Sequence, residues 1–465
     1  MDTPTFGTDS RSMPPLPPGT LLTPHTPHRP RTPQHPNRRR TAARLIALAA
    51  FAGVLAAAAG SAALGRGFGL AMDRRISPPA KPVPKPPQVM DQALAAQHAF
   101  TRRALAAMSE KADAKQNIFF SPWSIATALD MARAGSRREA LAALRETLSY
   151  PAGVGSMESQ LDAMRSTVLA SATGADAGFI FTQANRMWPS KGLTIRGEYA
   201  ATLRDRFAAD SAAIDFANKA EAADTINAWV NTNTRGMIPT LVTSDAIPDQ
   251  GLILTNAVYF LGTWDTPFNK EVTRPQPFTL ADGTRVEVPT MFRHDDFQYA
   301  QFPGGRAVKL RYTGPASAVL VLPDEGKLEK VTKTFDLAKV NASLWQADVQ
   351  LWLPKLDLQT RSSIAETLAA MGMSPAMRPD ADFTGITPAG PTFIADVIHA
   401  AAIKMDETKT EAAAATAVVV EVTSAPVEPR KPIEMRFDRP YLLYIVHEPT
   451  GAVLFAGRIS DPRIK

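Results

Sequence analysis

The chain contains no cysteine in 465 residues. That excludes disulfides, a cysteine nucleophile and thiolate metal sites. Histidine is scarce and scattered. Of the seven, His25, His28 and His35 fall in the first 44 residues, and His98, His294 and His447 have no partner at ligand spacing. His399 lies inside the apolar run Ile394 to Ile403, where a hydrogen-bonded structural role is expected rather than general-base work. The chain also lacks a GxSxG elbow, an HExxH pair, a phosphate-cradling Gly-rich loop with Lys, and any repeat at fixed period. These absences leave no support for an enzyme, a metal site or a cofactor.

Beyond residue 87 the chain lacks net positive charge. The formal net charge is +6, but residues 1 to 87 hold twelve Arg and Lys against three Asp, a net +9, which leaves −3 for the remainder. The basic balance therefore reports the tail, and no nucleic-acid partner is expected.

What is present begins with that tail. Residues 1 to 44 are rich in Pro, Thr, His and Arg and have too few large apolar residues to build a core, so a disordered cytoplasmic segment is expected. Leu45 to Leu64 is an uncharged apolar run whose length as a helix, ~30 Å, matches the hydrocarbon core of a bilayer. Arg38, Arg39, Arg40 and Arg44 precede it, which places the N-terminus in the cytoplasm and the rest across the membrane. A cleaved signal peptide is the rival, with small residues from Ala57 to Ala63 for cleavage, and it would make the protein secreted. The apolar run is longer than a usual signal core, so an uncleaved anchor is the expectation. Residues 65 to 88 form a Pro-rich linker, including the stiff PPAKPVPKPP of Pro78 to Pro87. Residues 89 to 465 then read as one large domain with 45% apolar content in the whole chain to draw on.

Within that domain, helical patterns come early and strand patterns late. Gln92 to Met108, Ser124 to Gly135, Arg137 to Leu148 and Ala222 to Arg235 have helical spacing. Leu252 to Phe260, Ala318 to Leu322, Val349 to Leu353 and Tyr441 to His447 are β-rich runs bounded by turn residues. Helices and strands in separate blocks predict an α+β fold.

The stretch Glu407 to Ser424, ETKTEAAAATAVVVEVTS, fits neither block. Thr410, Ala412, Ala414, Thr416, Val418, Val420 and Val422 fall on one face of an extended chain, with Glu411 and Glu421 on the other. Polar Asp406, Glu407, Thr408 and Lys409 precede it, and three prolines up to Pro432 follow it, which forbids a central strand there. As an isolated segment, its alanines suit a helix or a linker equally well.

Phrases spread along the domain resemble the serpin family. They are Asn117-Ile-Phe-Phe-Ser-Pro122 with Ser124-Ile125 and Ala128-Leu129, then Ala184-Asn185, then Ile226-Asn-Ala-Trp-Val230 with Thr234 and Gly236. Thr255-Asn-Ala-Val-Tyr-Phe-Leu-Gly-Thr-Trp264 with Pro267-Phe268 is the most specific. Leu353-Pro-Lys355, Ala381-Asp-Phe-Thr-Gly-Ile386, His399-Ala400, Phe437-Asp-Arg-Pro440 and Gly451-Ala-Val-Leu-Phe-Ala-Gly-Arg458 follow in the family's order. The resemblance spans about residues 92 to 463.

It implies a serpin fold with three β-sheets, about nine helices and an exposed reactive loop that baits a serine protease, with a cysteine protease as the other class of target. Residues 407 to 436 match that loop. The cleaved loop would insert into the main sheet and carry the acylated protease with it. The hinge corresponds to Glu407, Lys409, Thr410, Glu411, Ala412, Ala413, Ala414, Ala415 and Thr416, whose small residues suit entry into a sheet. Counting from the hinge places the scissile bond at Thr423-Ser424, with a one-residue shift to Val422 second, which implies elastase-like or subtilisin-like targets. Arg430 and Lys431 would instead suit a trypsin-like protease. The family usually has Gly where this chain has Lys409, a departure that bears on inhibition, and the loop is longer than usual between Ser424 and Phe437. A monomer is implied. The alternative is a non-inhibitory member acting as a chaperone or binding scaffold.

Overall fold

A computed structural model describes residues 90 to 463 except 154, 173–178, 235, 237 and 408–430. The tail, the apolar run and the linker lie outside the described residues. Among those described, no helix is long and apolar enough to cross a membrane.

Nine α-helices are present among the described residues: α1 (Asp91–Lys111), α2 (Pro122–Gly135), α3 (Arg138–Thr147), α4 (Met157–Ala172), α5 (Gly197–Phe207), α6 (Lys219–Asn233), α7 (Leu328–Thr334), α8 (Leu337–Ala342) and α9 (Ala365–Leu368). The first eight strands are β1 (Ile118–Phe120), β2 (Phe179–Pro189), β3 (Asp210–Ser211), β4 (Leu252–Gly262), β5 (Arg274–Thr279), β6 (Arg285–Phe302), β7 (Gly305–Arg311) and β8 (Ala316–Pro323). Six more follow: β9 (Trp345–Pro354), β10 (Leu356–Ser363), β11 (Ile394–Met405), β12 (Ile433–Arg436), β13 (Tyr441–His447) and β14 (Val453–Ile459). Each helix and strand predicted from periodicity is found, with ends shifted by up to four residues. Local chemistry explains the sharp ends. The Ser121 side chain accepts from the Ser124 amide and Pro122 takes the first helical position, so α2 starts where its orphan N–H groups find an acceptor.

The strands form two hydrogen-bonded sheets. One has five strands in the order β10-β11-β4-β2-β3, and the other has nine, β1-β14-β13-β8-β7-β6-β9-β12 with β5 on β6. Two of the three sheets implied by the resemblance merge in the second because β6 is continuous over 18 residues. It pairs with β9 and β5 along its first part and with β7 at its end.

In the five-stranded sheet, β11 pairs parallel with β4, while β10·β11 and β2·β4 are antiparallel. One face is covered by α6, through a cluster that joins Ile226 and Val230 to Trp188, Ile253 and Ile398. The other face turns toward α2 and the main core, which contains Ile125, Leu129, Leu254 and Val258.

Candidate functional site

The 408–430 segment separates the end of β11 from the start of β12, so both flanks of the loop are visible. Lys409 to Thr416 and the Thr423-Ser424 bond lie outside the described residues. Of the predicted hinge positions only Glu407 is described, and it is buried, 3% exposed, rather than a freely hydrated loop residue.

Three donors converge on this end of the loop. Trp264 Nε1 donates to the Asp406 carbonyl at 2.8 Å, the Phe268 amide donates to the Glu407 carbonyl at 3.0 Å, and Lys355 Nζ reaches Glu407 Oε2 at 2.7 Å. Trp264 is itself fixed, stacked on Tyr312 at 4.3 Å between ring centroids and edge-on to Phe268. Burial alone would raise the Glu407 carboxyl, but the hydrogen bonds from Lys355, its own backbone amide and Thr273, with the Lys355 charge, together outweigh it and hold the group below the usual carboxylate range. Asp406 and Glu407 thus form a clasped turn directly after the last residue of β11.

Beneath that turn lies the parallel pair β11·β4, and a polar cluster sits between the two strands. His399 on β11 is the register partner of Asn256 on β4. The Ser121 amide donates to His399 Nε2 at 3.0 Å, so the ring proton resides on Nδ1, which donates to Asn256 Oδ1 at 2.5 Å. Asn256 Nδ2 donates in turn to Asn185 Oδ1 on β2 and to the Ser124 hydroxyl at the start of α2. Burial pulls the imidazole down to about 3, so it is neutral at physiological pH. The cluster ties β11, β4, β2 and α2 together through uncharged hydrogen bonds.

These residues were in the phrases that carry the resemblance, but no role was read for Asn185, Asn256, Ser121 or Ser124. The signal was available. Asn256 stands beside Thr255 in the β-rich run Leu252 to Phe260 and is fully buried, and a buried amide requires partners.

The far flank of the loop is anchored differently. β12 is a four-residue edge strand paired only with β9, in parallel. Arg436, Trp352 and Phe292 form a row across β12, β9 and β6. The Arg436 guanidinium lies 3.5 Å from the Trp352 ring centroid, and Trp352 is 4.9 Å from Phe292. The Phe437 amide adds a bond to the Trp352 carbonyl at 2.9 Å. Among the described residues no group of three or more His, Asp or Glu side chains is arranged to hold a metal ion.

Comparison with known proteins agrees with this architecture. Residues 95–462 match the model of the family described as Serpin (serine protease inhibitor). An uncharacterized serpin-like protein of Thermococcus kodakarensis is 33% identical over 359 residues, covering 76% of this chain and 83% of that protein. The leukocyte elastase inhibitor of Homo sapiens is 31% identical over 389 residues, covering 80% of this chain and all of that protein. The structure of native protease nexin-1 with heparin superposes with a TM-score of 0.69 at 26% identity, over 79% of this chain and 100% of the other.

Proposed function

Because this chain belongs to the serpin family, we propose that it inhibits serine proteases as a suicide substrate, its cleaved loop inserting between β11 and β4. The observation that carries this reading is the parallel pairing of those two strands immediately below a clasped turn at Asp406–Glu407. A chain that reverses direction after β11 runs antiparallel to β11 and, because β4 is parallel to β11, antiparallel to β4 as well. Insertion therefore converts a parallel pair into two antiparallel ones, the better-bonded arrangement.

In the proposed reaction the protease serine oxygen attacks the Thr423 carbonyl carbon and the bond to the Ser424 nitrogen breaks. The nitrogen leaves as a protonated amine, and the protease stays esterified to Thr423. Residues Lys409, Thr410, Glu411, Ala412, Ala413, Ala414, Ala415 and Thr416 then enter the sheet first. The small residue at Thr423, with relatives named leukocyte elastase inhibitor and alpha-1-antiproteinase, favours an elastase-like or subtilisin-like target. Lys409, where the family usually has Gly, supports a second reading: a non-inhibitory member whose loop is cut as an ordinary substrate while the body serves as a chaperone or binding scaffold.

Incubating the purified chain with elastase, subtilisin and trypsin separates the two. The inhibitory reading expects an SDS-stable complex and a released peptide beginning at Ser424. A peptide beginning at Lys431 overturns the assigned bond, and cleavage without complex by all three overturns the mechanism. We also place residues 45–64 in a membrane, with the domain outside the cytoplasm. Protease shaving of intact cells should then release the folded domain, and retention would contradict that topology.

A further inference from the structure

The clasp on the backbone carbonyls of Asp406 and Glu407 is made by the segment Trp264 to Phe268; its first residues are held by Tyr312 and the Arg311 carbonyl, and its last by a cation. Arg293 lies on β6 with its side chain 14% exposed. Its guanidinium carbon sits 5.0 Å from the Phe268 ring centroid and 4.4 Å from that of Phe297, and Nη1 donates to the Thr266 carbonyl. The Asp295 carboxylate is 3.7 Å from Nε, beyond hydrogen-bonding distance. Two aromatic faces and one carbonyl are the shortest contacts of this charge, and the Asp295 and Asp265 carboxylates add attraction from farther out. Burial draws the guanidinium down to about 10, which still leaves it a cation at neutral pH. For packing alone, an apolar side chain of similar volume would avoid the desolvation that a buried charge suffers. What the guanidinium adds is direction: it grips the carbonyl of Thr266 and the ring of Phe268 at once.

We propose that Arg293 is a positioning residue for loop insertion: it fixes Thr266 to Phe268 so that the Phe268 amide, beside a Trp264 already stacked on Tyr312, holds Glu407 as the pivot about which the chain turns from β11 into the gap beside β4. A pivot that holds keeps the entering strand in register and insertion fast. A loose pivot lets the ester hydrolyse first. The preceding residue, Phe292, supports the other flank of the loop through Trp352 and Arg436, so two adjacent positions of β6 reach both ends of the same segment. The kinetic consequence rests on the inhibitory reading, while the geometric one does not.

The test uses full-length Arg293→Gln and Arg293→Lys, the second keeping the charge and most of the volume. Backbone amide exchange is followed at Phe268, and inhibition is titrated against the protease that gives a complex with the unaltered chain. The proposal expects Phe268 to exchange about tenfold faster in Arg293→Gln, the equivalent of roughly one hydrogen bond. It also expects the molar ratio needed to silence the protease to rise severalfold while the rate of first association stays within about twofold, since the bait itself is unaltered. Arg293→Lys falls between the two on both readouts. A fall in thermal midpoint with unchanged Phe268 exchange and an unchanged ratio would overturn the proposal and leave Arg293 a packing residue. If the unaltered chain forms no complex with any protease, the inhibitory reading fails, and the Phe268 amide alone decides: faster exchange upholds the pivot, unchanged exchange overturns it.

Discussion

Glu407 and His399 show what a single residue does in this fold and why its role hides in the sequence. Glu407 reads as one polar loop residue among four, yet it is a buried anion paired with Lys355, 52 positions earlier. Nothing local announces a partner at that distance. His399 is the reverse case. A hydrogen-bonded histidine in an apolar run is legible, but the tautomer follows only once the Ser121 amide is seen to occupy Nε2. Its charge state makes a pH prediction. The imidazole titrates near 6.5 in an unfolded chain and about 3 when folded, so below 6.5 the unfolded state binds the extra proton. Stability attributable to this residue is thus fully present above pH 6.5 and is lost as pH falls toward 3, at up to about 1.4 kcal/mol per unit. His447, pulled down by burial to about 4, acts in the same direction. Denaturant titrations at pH 7, 6, 5 and 4 should show a shallower acid loss in His399→Asn than in the unaltered chain. Parallel curves would remove His399 as a source of the acid sensitivity.

Among the elements, strongly periodic ones were legible and edge ones were not. The helices Pro122–Gly135 and Lys219–Asn233 and the strand Tyr441–His447 announce themselves by spacing. By contrast β6, interrupted by the consecutive polar residues Arg293, His294, Asp295 and Asp296, and β10, whose last residues are exposed hydroxyls, carry too little apolar signal. β12 follows a proline cluster that argues against a strand, and it exists because it needs to pair on one side only. Four residues of pairing make a weak anchor, and the Arg436, Trp352 and Phe292 row strengthens it. Trp352→Ala removes the aromatic from the middle of that row and should cost about 2 to 4 kcal/mol, combining lost burial with a lost cation–π contact. The loss should be concentrated at the edge, so the amides of residues 433 to 436 should exchange faster while those of β13 do not. A uniform change across the nine-stranded sheet would mean that the row supports the whole sheet and not the anchor.

At the scale of the whole molecule, β11 and β4 run parallel, and on the proposed mechanism the Thr410 to Val422 stretch fills the antiparallel register between them. The order of the serpin-like phrases made the fold legible, while the face that parity assigns to Thr410 to Val422 lies outside the described residues. The clasp, the polar cluster around Asn256 and the anchor on β12 were not legible, because each assembles residues from three or four elements that no spacing rule connects. The Glu411 to Val422 stretch, as a strand of roughly 40 Å, would gain on the order of 6 to 18 kcal/mol in gross hydrogen bonding. That is comparable with the stability of a typical domain, ~5 to 15 kcal/mol. On the proposed mechanism the uncleaved protein is a metastable state, and cutting it should make it more stable. The most direct measurement is thermal unfolding before and after a single cut within residues 408 to 430, made by a protease that is not itself trapped. Insertion predicts a midpoint higher by roughly 10 to 30 °C in the cut protein; an unchanged or lower midpoint would contradict insertion between β11 and β4.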